Sequence, residues 1–383
     1  MDTQQSGIIT LIKSAITQTA LPLPDGFNIQ QAMPQIKRHS LVTLVYDGAA
    51  RCGISTDEPA MQQLFRNYLQ FLLQTEGQQR GLDRLFRAFS DNQIDYLPLK
   101  GCQMRPLYPK PEMRIMADAD VLIRLEQYPK IEQILTSLGF VWCRETGHEI
   151  VWKTDGLYLE LHKCLVPKQY ADEYAFWGDG WDFAANKDGY YHTMSPENEW
   201  LFLFTHFAKH YREGGIGCRH ATDLWVFLRN HPDLNTAIIE ERLKEMGLLA
   251  FYSNIRDLLT MWFEDGKSNE KVDLITEYIF ASGNWGDLRS HAVSQVIKRS
   301  TSSSKMKWMF LKFTLFPSRE TMAYSFPVLK KIPILLPIFW MIRFFQKIFI
   351  DKNAIKRGKT RFASVTDKTV EERREALRYV GFQ

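Results

Sequence analysis

Residues 114–123, Arg-Ile-Met-Ala-Asp-Ala-Asp-Val-Leu-Ile, constrain this chain more than any other stretch. Apolar residues surround two carboxylates, Asp118 and Asp120, spaced two apart. Side chains alternate faces along a strand, so a strand over 118–124 points both acids the same way. Two like charges on one face repel unless a cation lies between them. Mg²⁺ is the usual cation, because it takes one or two carboxylates and completes its shell with phosphate and water oxygens. Mn²⁺ accepts the same donors.

The flanking sequence extends the pattern. A strand over Asp95–Leu99 ends at Lys100-Gly101, and 101–108 reads as a short helix closed by Pro109 and Pro111. A helix from Tyr128 to Leu138 stops at Gly139. Phe140–Cys143, Glu149–Lys153 and Leu157–His162 read as strands, with a hairpin turn at Thr154-Asp-Gly156. On the last strand Tyr158, Glu160 and His162 share a face. Gly101 at a strand-to-helix turn lets backbone approach a phosphate. Lys100 and Arg114 offer cations to phosphate oxygens, Arg114 as a bidentate fork. Glu160 supplies a third carboxylate, to complete a metal site or to take a proton from an attacking hydroxyl.

The rest of the chain reads as helical. Ile8, Ile9, Leu11, Ile12 and Ile16 recur at helical spacing, and Glu58–Phe89 carries one apolar stripe. Ser195-Pro-Glu-Asn-Glu opens a helix that runs to His210 and breaks at Gly214-Gly215. A second helix holds Arg219 to Leu228, and more fill 234–281. His206 and His210 share a helix face, without a third ligand in sequence, and read as packing residues. Arg219, His220 and Asp223 read as a polar contact beneath the sheet. The expected layout is an N-terminal helical region over 1–90, a small mixed-sheet palm over 91–165, a helical domain over 166–290 and a C-terminal arm over 291–383.

That arm has its own chemistry. Residues 291–383 hold 19 Lys+Arg and 6 Asp+Glu, whereas residues 1–290 hold 29 and 38. So basic a segment suits an anionic partner. Ser300–Ser304 reads as a linker. Residues 332–350 approach membrane-spanning length, but Pro333, Pro337, Arg343, Gln346 and Lys347 interrupt them, so no transmembrane span is expected. The arm's aromatics, among them Trp308, Phe326, Trp340, Phe344 and Phe345, either pack against the helical domain or enter a bilayer interface, and packing is expected because the prolines divide the stretch into short helices. Five scattered cysteines without C-x-x-C spacing point to reduced thiols. With no basic-then-apolar leader at Met1, this indicates a cytoplasmic protein, or one peripheral at the inner membrane surface.

The order strand, glycine turn, short helix, D-x-D strand, later carboxylate strand resembles the nucleotidyltransferase superfamily that includes DNA polymerase beta. More closely, Leu99-Lys-Gly101, Leu107-Tyr108, Arg114-x-x-x-Asp-x-Asp120, Leu138-Gly-Phe140 and Leu159-Glu-Leu-His162 resemble a bacterial family known only as uncharacterised nucleotidyltransferases. The likeness spans roughly residues 60–350, and Phe316-Pro-Ser with Leu329-Lys-Lys-Ile-Pro-Ile-Leu-Leu-Pro337 is similar to a subgroup common in Bacteroidetes-like bacteria. One departure stands out. The superfamily has Gly-Ser or Gly-Gly at the turn, whereas here Cys102 follows Gly101, and Lys100 takes the place of the lysine in the Lys-Gly-Gly turn of related toxin enzymes.

The resemblance implies an α+β protein with a polymerase-beta-like palm embedded in helices. It implies transfer of a nucleoside monophosphate from an NTP to an acceptor hydroxyl on RNA, protein, a small molecule or a glycan. Asp118, Asp120 and Glu160 would be catalytic and metal-binding; Lys100, Gly101, Arg114 and His162 would contact the nucleotide. Two other readings fit the residues: a non-catalytic binding module on the same fold, and a membrane-surface protein of glycan or polysaccharide biosynthesis.

Overall fold

A computed structural model describes residues 1–168, 170–283, 328–349 and 366–382, with isolated positions between 316 and 326. Two compact units result. The first comprises Met1–Ala208, Ile216–Asn284 and Gly381–Gln383; the second comprises Lys209–Gly215 and Trp285–Val380.

The first unit opens with four helices: α1 (Thr3–Thr17), α2 (Ile29–Arg38), α3 (Val42–Arg51) and α4 (Pro59–Asp91). Asp2 caps α1 by accepting the Gln5 N–H, while the Gln5 side chain accepts the Asp2 N–H. Ile8, Leu11, Ile12 and Ala15 then fall on one buried stripe. Gly48 lets α3 cross α1 closely, because a Cβ there would lie on the Leu11 carbonyl. With 33 residues, α4 is about 50 Å long. Its last turns bury Leu82, Leu85 and Phe89 against the sheet.

Seven strands form one mixed sheet: β1 (Tyr96–Pro98), β2 (Ala119–Ile123), β3 (Val141–Glu145), β4 (Glu149–Thr154), β5 (Leu157–His162), β6 (Ala184–Asp188) and β7 (Tyr191–Met194). Their order is β3-β4-β5-β2-β1-β7-β6. Two short elements join them, α5 (Gly101–Met104) after β1 and α6 (Tyr128–Ser137) after β2. Every residue of β2 is buried, which fits a central strand covered on both faces. Ala119, Val121 and Ile123 pack with Leu159 and Leu161 beneath α4 and α6. Asp120 and Leu122 therefore face the other way.

The structure adds β6 and β7, which lie in the stretch expected to belong to a helical domain over 166–290 and join the palm's sheet instead. β6 is almost wholly exposed, so no apolar alternation marks it; only backbone pairing with β7 defines it. α7 (Ala171–Trp177) lies between β5 and β6, and after β7 come α8 (Pro196–Glu213), α9 (Cys218–Asn230), α10 (Thr236–Glu245), α11 (Leu249–Phe263) and α12 (Glu270–Ser282).

His39 ties three of these helices together. Its Nδ1 accepts the Cys218 N–H at 3.2 Å at the start of α9, and its Nε2 donates to the Phe280 carbonyl at 3.3 Å on α12. Acceptance at Nδ1 demands the neutral ring, and burial lowers the His39 pKa to about 4.

The second unit contains α13 (Val328–Lys331), α14 (Leu336–Phe349) and α15 (Asp367–Tyr379). Met322 and Leu329 are buried here, with Phe326, Phe339 and Trp340 packed on them. The burial expected of all the arm's aromatics fails on α14, where Phe344 and Phe345 are exposed. Pro333 and Pro337 set the start of this helix, and among its described side chains Leu336, Phe339 and Trp340 meet the core of its own unit. No helix among the described residues is long and apolar enough to cross a membrane. The Ser300–Ser304 linker, Trp308, Phe310 and Phe313 lie outside the described residues.

The His39 geometry predicts a pH effect on stability. The folded pKa lies below the unfolded value, so the contribution is full above pH 6.5 and is lost as pH falls toward 4. Urea unfolding of wild type and His39→Gln should show the wild-type advantage shrinking by on the order of 3 kcal/mol over that range. Parallel losses in the two proteins would show that His39 is not held neutral.

Candidate active site

The site begins with a register. β2 and β5 run parallel, and Asp120 lies directly beside Glu160. On the same face, Leu122 lies beside His162, and His162 beside Glu149 of β4. Asp118 stands two residues before Asp120, at the mouth of β2. Two carboxylates thus sit side by side in a largely buried sheet, with Asp118 close enough to repel both, and like charges set side by side destabilise a sheet.

Neighbouring cations and donors meet part of that charge. Lys100 Nζ lies 2.8 Å from Asp120 Oδ1, and His162 Nε2 lies 2.7 Å from the same oxygen. Burial pushes the Asp120 carboxyl up, but Lys100 and His162 outweigh it and hold the group well below the usual carboxylate range. Lys100 is likewise pressed by burial toward neutrality, and Asp120 keeps it charged. Among the described residues Asp118 has no such ion pair, and Glu160 meets the half-exposed Arg144, whose Nη2 lies 3.2 Å away. Burial and then Asp120 raise the Asp118 pKa, against Lys100 and Arg219. Burial, Asp120 and Asp118 raise Glu160 to about 7. The cluster carries more negative charge than its neighbours relieve.

Lys100 reaches Asp120 through an unusual backbone. Its φ of 45° and ψ of −110° are a conformation that L-residues rarely adopt. Sequence reasoning places the special glycine next door, yet Gly101 serves another purpose. A Cβ on Gly101 would sit 2.8 Å from Met116 Sδ, so glycine allows the turn to pack on the segment leading to Asp118. Cys102 takes no part in polar chemistry: burial raises its thiol to about 12, and Sγ faces Met116 Sδ at 4.0 Å.

The structure turns Arg114 away from the carboxylates. Its Nε donates to Asp223 Oδ1 at 2.7 Å, beside the Tyr108 hydroxyl, which donates to the same oxygen at 2.6 Å. Arg114 Nη1 and Arg219 Nη1 both donate to the Ile115 carbonyl, at 2.8 and 2.6 Å. Gln78 extends the network by accepting from Arg105 Nη2 at 2.8 Å and donating to the Met116 carbonyl at 2.9 Å. Residues 105–116 are thereby fixed just upstream of Asp118. The polar contact expected of Arg219 and Asp223 is present.

Sequence reading misses Arg144. A bulge in β3 brings it, rather than Cys143, opposite Val151, on the face of the acids. Its Nη2 lies 3.1 Å from Glu149 and 3.2 Å from Glu160. Among the described residues, Asp120, Glu160 and His162 form the one group of three or more such donors that converge, with one ligand atom from each within 4.8 Å of the others. His206 and His210 do not join it.

The sequence pattern of the family described as uncharacterised nucleotidyltransferase matches residues 25–264. The chain belongs to this family. No curated protein and no solved structure matches it. For a nucleotidyltransferase family member, the carboxylate face of β2 and β5, where donors converge among the described residues, is the candidate site.

The Arg114–Asp223 pair is buried on both sides, so breaking it strands a charge. Arg114→Met should cost about 3 kcal/mol or more in chemical denaturation, and Arg114→Met/Asp223→Asn should cost less than the single change. A double variant weaker than Arg114→Met would refute a charge-balancing role for the pair.

Proposed function

We propose that the protein transfers a nucleoside monophosphate from an NTP to an acceptor hydroxyl, using a divalent cation held by Asp118, Asp120 and Glu160. The β2–β5 register that sets Asp120 beside Glu160 is the observation that carries this reading.

The donor set fits a hard cation. His162 Nε2 is engaged with Asp120 Oδ1, so His162 orients the carboxylate, and Asp118, Asp120 and Glu160 offer carboxylate oxygens. Oxygen-rich sites suit Mg²⁺ or Mn²⁺. When bound, the cation would neutralise triphosphate charge and lower the pKa of the acceptor hydroxyl.

The protein's own groups divide the remaining work. Asp120 is fixed from two sides by Lys100 and His162, so its free oxygen is pre-aimed. Asp118, less enclosed, completes the pair. Glu160, with a pKa near neutral, is suited to take the acceptor's proton at its carboxylate as well as to ligate. Lys100 serves as internal countercharge to Asp120, and its ammonium would be placed to meet triphosphate oxygens. Arg114 and Gly101 act from behind, holding the turn and the strand entry in place. RNA, protein, a small molecule or a glycan would supply the hydroxyl. Five free thiols support placement in the reducing cytoplasm.

Calorimetric titration of each NTP, with and without Mg²⁺, tests the reading. Wild type should bind at least one NTP only with the metal, Asp118→Asn/Asp120→Asn should lose that binding, and Lys100→Met should weaken it by roughly 10- to 100-fold. Nucleotide affinity indifferent to Mg²⁺ and to both acids would sink the proposal.

A further inference from the structure

Helix α14 of the second unit is apolar on two opposite faces. One face is packed: Phe339 lies 4.6 Å from Phe326 between ring centres, Trp340 Nε1 donates to the Pro317 carbonyl at 2.8 Å, and Phe316 meets the Trp340 ring at 5.2 Å. Those contacts fix the rotation of the helix. The other face presents Ile338, Met341 and Phe345 at spacings of three and four, and they are 54%, 62% and 50% exposed. Ile342 and Phe344 flank this stripe, and Ile334 precedes it; all are exposed. Scattered surface apolar residues are ordinary, but a continuous stripe of this kind marks an interaction surface.

Charge selects the occupant. Residues 321–361 hold nine Lys+Arg and one acid, Asp351. Self-association would bring two such segments together and repel. A nucleic acid would meet the charge and could stack on Phe344 and Phe345, yet the other four exposed side chains, Ile334, Ile338, Met341 and Ile342, are aliphatic and give bases no planar surface. An anionic lipid surface answers both features at once: acyl chains accept the stripe, and headgroups accept the flanking cations. The helix has 14 residues, about 21 Å, too short to cross a bilayer and sufficient to lie along its surface.

We propose that Leu336–Phe349 docks in the plane of an anionic membrane surface, with Ile338, Met341 and Phe345 inserted below the headgroups. This inference is independent of the nucleotidyl-transfer reading and stands or falls without it.

Vesicle flotation of the full chain tests it. Vesicles of phosphatidylcholine and phosphatidylglycerol at three to one are compared with phosphatidylcholine alone, at low and high salt. Wild type should float with the anionic vesicles, at least about fivefold better than with neutral ones, and part should remain bound at high salt. Ile338→Glu/Met341→Glu should lower binding at least about tenfold, with circular dichroism and thermal midpoint unchanged because both positions are exposed. Arg374→Ala, on α15, serves as a surface control and should float like wild type. Wild type that stays unbound, a double variant that floats equally well, or binding wholly abolished by salt would each overturn the proposal. So would a concentration-dependent dimer that the double variant dissociates, since it would assign the stripe to a second copy.

Discussion

Placing Asp120 beside Glu160 across β2 and β5 is the constraint on which the rest of the site depends. Acids seldom sit side by side in a sheet interior, because neither water nor a neighbour screens them there. This protein tolerates the pair by spending Lys100 and His162 on Asp120 alone. Asp118 and Glu160 are left with raised pKa values, and this residual repulsion is what a divalent cation would relieve. A fold selected only for stability would have replaced one acid; keeping all three is the kind of local conflict that marks a functional site.

Holding the conflict in place takes a scaffold of satisfied polar groups. Arg105, Gln78, Arg114, Tyr108, Asp223 and Arg219 tie the 105–116 segment to α4 and α9. That segment enters β2 at Asp118, so its rigidity sets where the first acid stands. Lys100 contributes from the other side, and its strained φ persists because the Asp120 contact and the packing of Gly101 on Met116 hold it there. Strain, buried charge and acid crowding thus meet within one turn and two strands.

Much of this was legible in the sequence, for physical reasons. The Asp118–Arg124 pattern announces a strand because its alternation is apolar against acidic. Tyr128–Leu138 announces a helix because Gly139, at φ 84°, ends it. The Leu157–His162 strand is read to the residue, since a Thr-Asp-Gly turn precedes it. What escaped depends on contacts far apart in sequence. Arg144 reaches the acid face only through a bulge. Arg114 looks like a phosphate fork until Asp223, 109 residues away, captures it. β6 has no pattern to read, because exposed residues on an edge strand need none. The C-terminal aromatics misled for the opposite reason: their hydrophobicity predicts burial, yet on α14 a second apolar face remains exposed.

On this reading Asp118, Asp120 and Glu160 together form one cation site. Equilibrium binding of Mn²⁺, followed by the loss of the free-ion spin-resonance signal, tests it without nucleotide or acceptor. Wild type should take up Mn²⁺, Mg²⁺ should displace it, and Glu160→Gln and Asp118→Asn should each weaken uptake by about tenfold or more. Uptake that is absent at millimolar Mn²⁺, or unchanged in both variants, would contradict the account.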